Sequence, residues 1–148
     1  ANLKNMDVKV LDGVVETIDI VGNKITIMGI DDPTIRSYQM QLEELKNNAQ
    51  NENISFLLAH RPERLEDYES LNPDFIFSGH AHGGQWRLPI VLENGLLAPH
   101  QGFFPKLTNG VVDVGYGKLI VSRGLSREST WIPRIYNSPE IVVVNFNK

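Results

Sequence analysis

A chain of 148 residues, 41% hydrophobic and 22% charged, is long enough for one domain with a real core and too short for two typical ones. Its net charge of −4, without a run of like charge, excludes the basic footprint of a nucleic-acid backbone binder. Cysteine is absent, so disulfides, thiolate zinc sites and cysteine nucleophiles are excluded together, and any metal must be held by His, Asp, Glu or Asn.

Ala1–Leu11 carries no signal-peptide pattern, and apolar stretches such as Ile54–Ala59 and Ile141–Val144 are far short of a membrane span. The chain as given reads as soluble, with its compartment open. Val14–Ile20 and Ile25–Ile30, β-branched and separated by Gly22-Asn23, predict two strands around a tight turn. After Asp31-Asp32-Pro33, the spacing of Ile35, Tyr38, Leu42 and Leu45 predicts an amphipathic helix. Asp32 would be its cap, Pro33 its first position and Asn47-Asn48 its end.

Ile54–Ala59 is apolar at nearly every position, which predicts a strand covered on both faces and stopping at His60. Pro62–Leu71 predicts a short helix. Asp74–Ser78 predicts a second buried strand, running into Gly79-His80-Ala81-His82-Gly83-Gly84-Gln85. From Trp86 to Thr108 the chain is rich in Pro, Gly and Asn and reads as loop with short pieces of structure. Val111–Val114 and Lys118–Ser122 predict a second hairpin, and Glu140–Phe146 a closing strand paired into a sheet. The expected core is Phe56, Leu58, Phe75, Phe77, Ile120, Val142 and Val144.

Two successive strands thus end at histidines, and loops beyond strand ends are where open α/β sheets build their sites. His80 and His82 stand in a glycine-rich loop that can approach an ion or phosphate closely. Neutral imidazole suits Zn, Mn, Fe or Ni. A bare His-x-His is more often a surface loop with one histidine hydrogen-bonding a strand end. His60 changes that balance, because three of the four histidines then converge on one edge. His100, between Pro99 and Gln101, is expected outside the cluster as an ordinary exposed residue. Asp31 is left open as a ligand or supporting acceptor. Arg61 and Arg123 could meet phosphate oxygens, although solvated arginines are the simpler reading, and Trp86 is expected to anchor the core.

Leu57-Leu58-Ala59-His60-Arg61-Pro62-Glu63, followed by Phe77-Ser78-Gly79-His80-Ala81-His82-Gly83-Gly84-Gln85, resembles the two C-terminal motifs of the calcineurin-like metallophosphoesterases. Gly29-Ile30-Asp31-Asp32-Pro33, Val121-Ser122-Arg123-Gly124-Leu125 and Pro139-Glu140-Ile141 resemble a bacterial branch with membrane- or wall-associated members. The resemblance implies an α+β fold (an α/β sandwich), here the C-terminal part of a four-layer sandwich. It also implies two divalent ions of the Mn, Fe or Zn type, His60 and His80 matching ligands of one and His82 a ligand of the other. The substrate class implied is a phosphate ester, hydrolysed with a metal-bridging hydroxide.

The family's Asp-x-His, Gly-Asp-x-x-Asp and Gly-Asn-His segments do not occur here, and Gly22-Asn23 is followed by Lys24. Residues 1–148 are therefore expected to form one unit, the C-terminal part of a phosphoesterase. This unit would hold at most one ion, lack catalytic residues of its own, and be inactive alone. A non-catalytic binding module with a residual metal site is the alternative, and a mononuclear zinc hydrolase using the three histidines ranks last. Surface bared where missing layers would pack is expected to favour self-association. No residue is assigned to substrate binding.

Overall fold

Because side chains alternate sides along a strand, a sheet with apolar residues on both faces needs two covering layers. The computed structural model, which describes residues 3–49, 52–88, 90–125 and 132–146, contains one such sheet, with a single face closed by helices. Six strands lie in the order β1-β2-β3-β4-β8-β7: β1 (Val15–Ile20), β2 (Asn23–Ile30), β3 (Ile54–Ala59), β4 (Phe75–Ser78), β8 (Lys118–Val121) and β7 (Gly110–Asp113). The central four run parallel, and β1 and β7 pair antiparallel at the two edges. This is an α/β fold with a mixed sheet, as expected for part of the sandwich. A small hairpin of β5 (Leu97–Ala98) and β6 (Gly102–Phe103) stands apart in the long excursion between β4 and β7.

The crossovers from β2 to β3 and from β3 to β4 run through α1 (Tyr38–Asn48) and α2 (Leu65–Glu69). A right-handed crossover repeated in one direction puts both helices on the same face. There Tyr38, Leu42, Leu45, Tyr68 and Leu71 close over Met28, Leu57, Ile76, Leu119 and Val121. Among the described residues, no helix is long and apolar enough to cross a membrane.

Four expectations are corrected. Helix α1 begins at Tyr38, six residues beyond Asp32, and Ser37 precedes it without a side-chain cap. Asp32 instead accepts from the Thr34 amide (2.9 Å) and hydroxyl (2.6 Å) in a local turn, its remaining capacity being taken by Arg61. The first hairpin turns at Val21-Gly22, both with positive φ, while Asn23 already belongs to β2. The segment 140–146 is not a strand: it crosses the second face of the sheet, where Phe146 stacks on Phe56 at 5.2 Å, and forms no ladder.

The core is also on the other side from the one expected. Phe56, Phe75 and Phe77 are half-buried, Leu58 and Val142 are about two-fifths exposed at 44% and 40%, and only Ile120 of the expected set is buried. Alternation is the reason: the neighbours Leu57 and Ile76 point at the helices, and the expected residues occupy the opposite side.

Candidate metal centre

The loops leaving β2, β3 and β4 meet at one end of the parallel strands. Arg61 follows β3 and turns inward, only 8% exposed, so its reading as a solvated cation is corrected. Its Nε and Nη2 donate to Asp32 Oδ2 and Oδ1 at 2.7 and 2.8 Å, a bidentate charge-assisted pair. That pairing, with the Thr34 bonds, holds the Asp32 carboxyl well below the usual carboxylate range. Tyr68 donates its hydroxyl to the Arg61 carbonyl at 2.8 Å, so the turn is fixed from the helix side as well. His60, one residue earlier, is left pointing out of this anchored turn, with Nε2 3.9 Å from Asp32 Oδ2. Asp31 does not face the histidines: its Oδ2 accepts from Gln41 Nε2 at 2.8 Å, and its amide donates to Gln41 Oε1.

Beyond β4 the backbone makes a tight left-handed excursion. His80, His82 and Gln85 have φ of 63°, 49° and 54°, a conformation that side chains other than glycine adopt at a cost of roughly 1–3 kcal/mol each. The surroundings overdetermine it. Ala81 is fully buried, and Asn137 Nδ2 donates to the carbonyls of His82 (2.6 Å) and Gln85 (3.1 Å). Glycine is required at position 84, where a Cβ would strike the Asn94 carbonyl.

This excursion sets the His80 ring 4.4 Å from that of His60. On its other side His80 Nε2 lies 2.8 Å from His100 Nδ1, with the two rings stacked 5.0 Å apart. His100 therefore joins the cluster it was expected to avoid, carried there by the turn after β5, where its own φ is 60°. No local pattern marks this residue, which stands in a Pro- and Gly-rich loop with no long strand before it. Burial, and then the neighbouring His60 and His100, push the His80 imidazole down to about 4, so at neutral pH it keeps the lone pair a metal needs. His82 is held below its ordinary value by burial, then by Arg134, whose Nη2 is 3.4 Å from Nδ1, and by His60.

One residue carried no functional reading in the sequence. Glu63, three positions after His60, has both carboxylate oxygens buried without a hydrogen bond. Its Oε1 is 3.9 Å from Arg61 Nη1, while the other two nitrogens of that guanidinium serve Asp32. Donor atoms of Glu63, His80 and His100 all lie within 4.8 Å of one another. A spatial trio of this kind is invisible to spacing rules, although a carboxylate just past a strand-end histidine is a usable hint.

Behind the glycine-rich loop, Arg123 is paired, contrary to the solvated reading. Its amide donates to Glu140 Oε1 at 2.9 Å and its Nη2 meets Oε2 at 2.5 Å. Arg134 Nη2 donates to the Arg123 carbonyl at 2.5 Å. Trp86 is 42% exposed and anchors no core; its backbone bridges to Ile135.

Imidazoles gathered where parallel strands end, next to an orphaned buried carboxylate, make a donor set that fits a divalent transition ion. Fold and site together define an α/β protein with a candidate metal-binding cluster where its parallel strands end. No family model and no solved structure matches the chain. Curated relatives do. The metallophosphoesterase Cj0846 of Campylobacter jejuni is 33% identical over 111 residues, covering 73% of this chain and 27% of its own length. YkuE of Bacillus subtilis, also named a metallophosphoesterase, is 31% identical over 125 residues, 82% of this chain and 40% of its own. F40B5.2 of Caenorhabditis elegans, with the same family name, is 30% identical over 128 residues, 78% of this chain and 26% of its own. The chain belongs to the calcineurin-like metallophosphoesterase family, and it spans between about a quarter and two-fifths of the length of these relatives.

Proposed function

We propose that this chain is the C-terminal part of a phosphoesterase that hydrolyses phosphate monoesters or diesters at a dinuclear metal site. Its contribution to that site is His60 and His80 toward one ion and His82 toward the other. The observation that carries the reading is the His60–His80 pair, 4.4 Å apart at the exits of adjacent parallel strands. Bound divalent ions supply the rest of the chemistry, polarising the phosphoryl group and lowering the pKa of a coordinated water.

The chain's own residues do the positioning. The Asp32–Arg61 pair and the Tyr68 hydroxyl fix the turn that presents His60, and Asn137 fixes the turn that presents His80 and His82. Arg61 has two of its three nitrogens committed to Asp32, so it serves the scaffold ahead of the substrate. A bridging carboxylate and a leaving-group acid would come from the three family segments missing in residues 1–148. General-acid loss alone costs ~10²–10⁴-fold, so the chain by itself is proposed to be inactive. Apolar residues on the second sheet face would be covered by the remainder of the sandwich, and in the chain alone by self-association.

The test is hydrolysis of p-nitrophenyl phosphate and bis(p-nitrophenyl) phosphate with Mn or Zn. It compares the chain alone with a longer polypeptide that also carries Asp-x-His, Gly-Asp-x-x-Asp and Gly-Asn-His. Turnover is expected only in the longer form and is lost there in His80→Ala. Metal-dependent turnover by the 148-residue chain itself would overturn the division of labour.

A further inference from the structure

We propose that Glu63, His80 and His100 form a site for one divalent transition ion carried wholly by this chain, two imidazoles and a carboxylate with open positions for water or an anion. The inference rests on the phosphoesterase reading only through His80, which both use. Glu63 and His100 have no part in that reading.

Three independent segments converge here: the turn after β3 brings Glu63, the excursion after β4 brings His80, and the turn after β5 brings His100. Their donor atoms already lie within 4.8 Å of one another. Tetrahedral donors about 2.1 Å from a zinc ion stand roughly 3.4 Å apart, so side-chain rotations of about an ångström would close the set without moving the backbone. His100 is exposed, and its rotation would exchange its hydrogen bond to His80 for a bond to the ion.

The Glu63 carboxylate gives the stronger argument. A buried carboxylate with neither oxygen hydrogen-bonded is costly unless a cation compensates it. The neighbouring guanidinium forms an ion pair with Oε1 at 3.9 Å but, with its Nε and Nη2 turned to Asp32, gives Glu63 no hydrogen bond. A dication held between Glu63 and the imidazoles would take up the carboxylate lone pairs left open. It would also replace the 2.8 Å His80–His100 hydrogen bond by two coordinate bonds. Charge favours the arrangement too: the two imidazoles bring none, whereas Glu63 offsets half of the dication and leaves a net positive centre for a water or a phosphate oxygen.

The experiment is titration of the metal-free 148-residue chain with Co(II), read from its visible d–d bands, together with equilibrium dialysis against Zn(II). One ion per chain is expected. Glu63→Gln and His100→Ala should each weaken it at least tenfold and alter the cobalt band intensity. Glu66→Gln, an exposed carboxylate on α2, should change neither. Melting curves of the metal-free variants control for folding, and the exposed His100 keeps the test alive if Glu63→Gln unfolds. One ion bound equally well by both variants but lost in His60→Ala would overturn the proposal and leave the His60–His80 pair of the phosphoesterase reading in place. No ion bound at all would also overturn it, without touching a dinuclear centre completed by other segments. An ion indifferent to His80→Ala would refute both readings.

Discussion

The two faces of the sheet are built from the same strands and are finished differently. On the helix side Leu57, Ile76, Leu119 and Val121 are all 0% exposed beneath Tyr38, Leu42, Leu45 and Tyr68. On the other side Phe56 meets Phe75 and Phe77 edge-on at 5.7 and 5.4 Å, and their cover is the extended segment 142–146. A groove of about 570 Å³ remains there, between Leu58, Phe77, Ile120, Val142 and Val144, and it opens onto His60, Ser78 and Gly79. One face holds the fold together, and His60 stands at the rim of the other.

The largest effect that would break this comparison is a pair of truncations one residue apart. Leu57→Ala removes a fully buried side chain and should cost about 2–5 kcal/mol in urea unfolding. Leu58→Ala, on a side chain 44% exposed, should cost roughly a third of that, since much less area leaves water when it folds. Equal losses would mean that the second face is as closed as the first.

Next comes the ion pair at the rim. Asp32→Ala strands a guanidinium that is only 8% exposed, and about 3 kcal/mol of stability should go with it. The pair has a pH signature as well. The folded Asp32 pKa lies below its unfolded value near 3.9, so its contribution is complete above that value. The contribution is lost as pH falls through the folded pKa. Thermal melts from pH 7 to pH 3 should therefore drop more steeply for the native chain than for Asp32→Asn. Parallel curves would show that Arg61 does not depend on the charge of Asp32.

A smaller loss is expected from Tyr68→Phe. Tyr68 is 1% exposed and its hydroxyl serves the Arg61 carbonyl, so removing it leaves that acceptor short and costs about 1 kcal/mol. The phenol is pushed up by burial, then by surrounding charge, and stays a donor across the working pH range. Unchanged stability would show that the turn presenting His60 is held by the Asp32–Arg61 pair alone.

What could be read from the residues follows from how local each signal is. β3 ends at Ala59 and hands over to His60 as expected, because a short apolar run closed by a polar turn is a local pattern. The start of α1 lies beyond the expected position because Asp32-Pro33 is a strong local cap signal, whereas Arg61, 29 residues away, claims that carboxylate. The alternation of 140–146 is that of a strand, but a strand needs an open ladder. The segment lies over the face of β3 and β4, whose ladders are already filled by β2 and β8. His60 and His80 were legible as a pair because each follows a strand. His100 was not, because nothing in its own loop reports that β5 turns it back onto His80.

The smallest predicted effect sharpens the comparison most. Phe146 is 48% exposed, yet it stacks on Phe56 at 5.2 Å and meets Phe75 edge-on at 4.9 Å. Aromatic pairs of this geometry are worth about 0.5–1.5 kcal/mol beyond area, and partial exposure puts Phe146→Ala at the low end. Stability should thus fall by less than about 1 kcal/mol. Surface behaviour should change more, because the truncation uncovers Phe56 and Phe75 together and widens an apolar patch that water does not favour. Light scattering and binding of a hydrophobic dye should both rise in Phe146→Ala and stay level in a substitution at the exposed, outward Val143. A stability loss as large as that of Leu57→Ala, with no gain in dye binding, would make the segment a true core layer and close the second face.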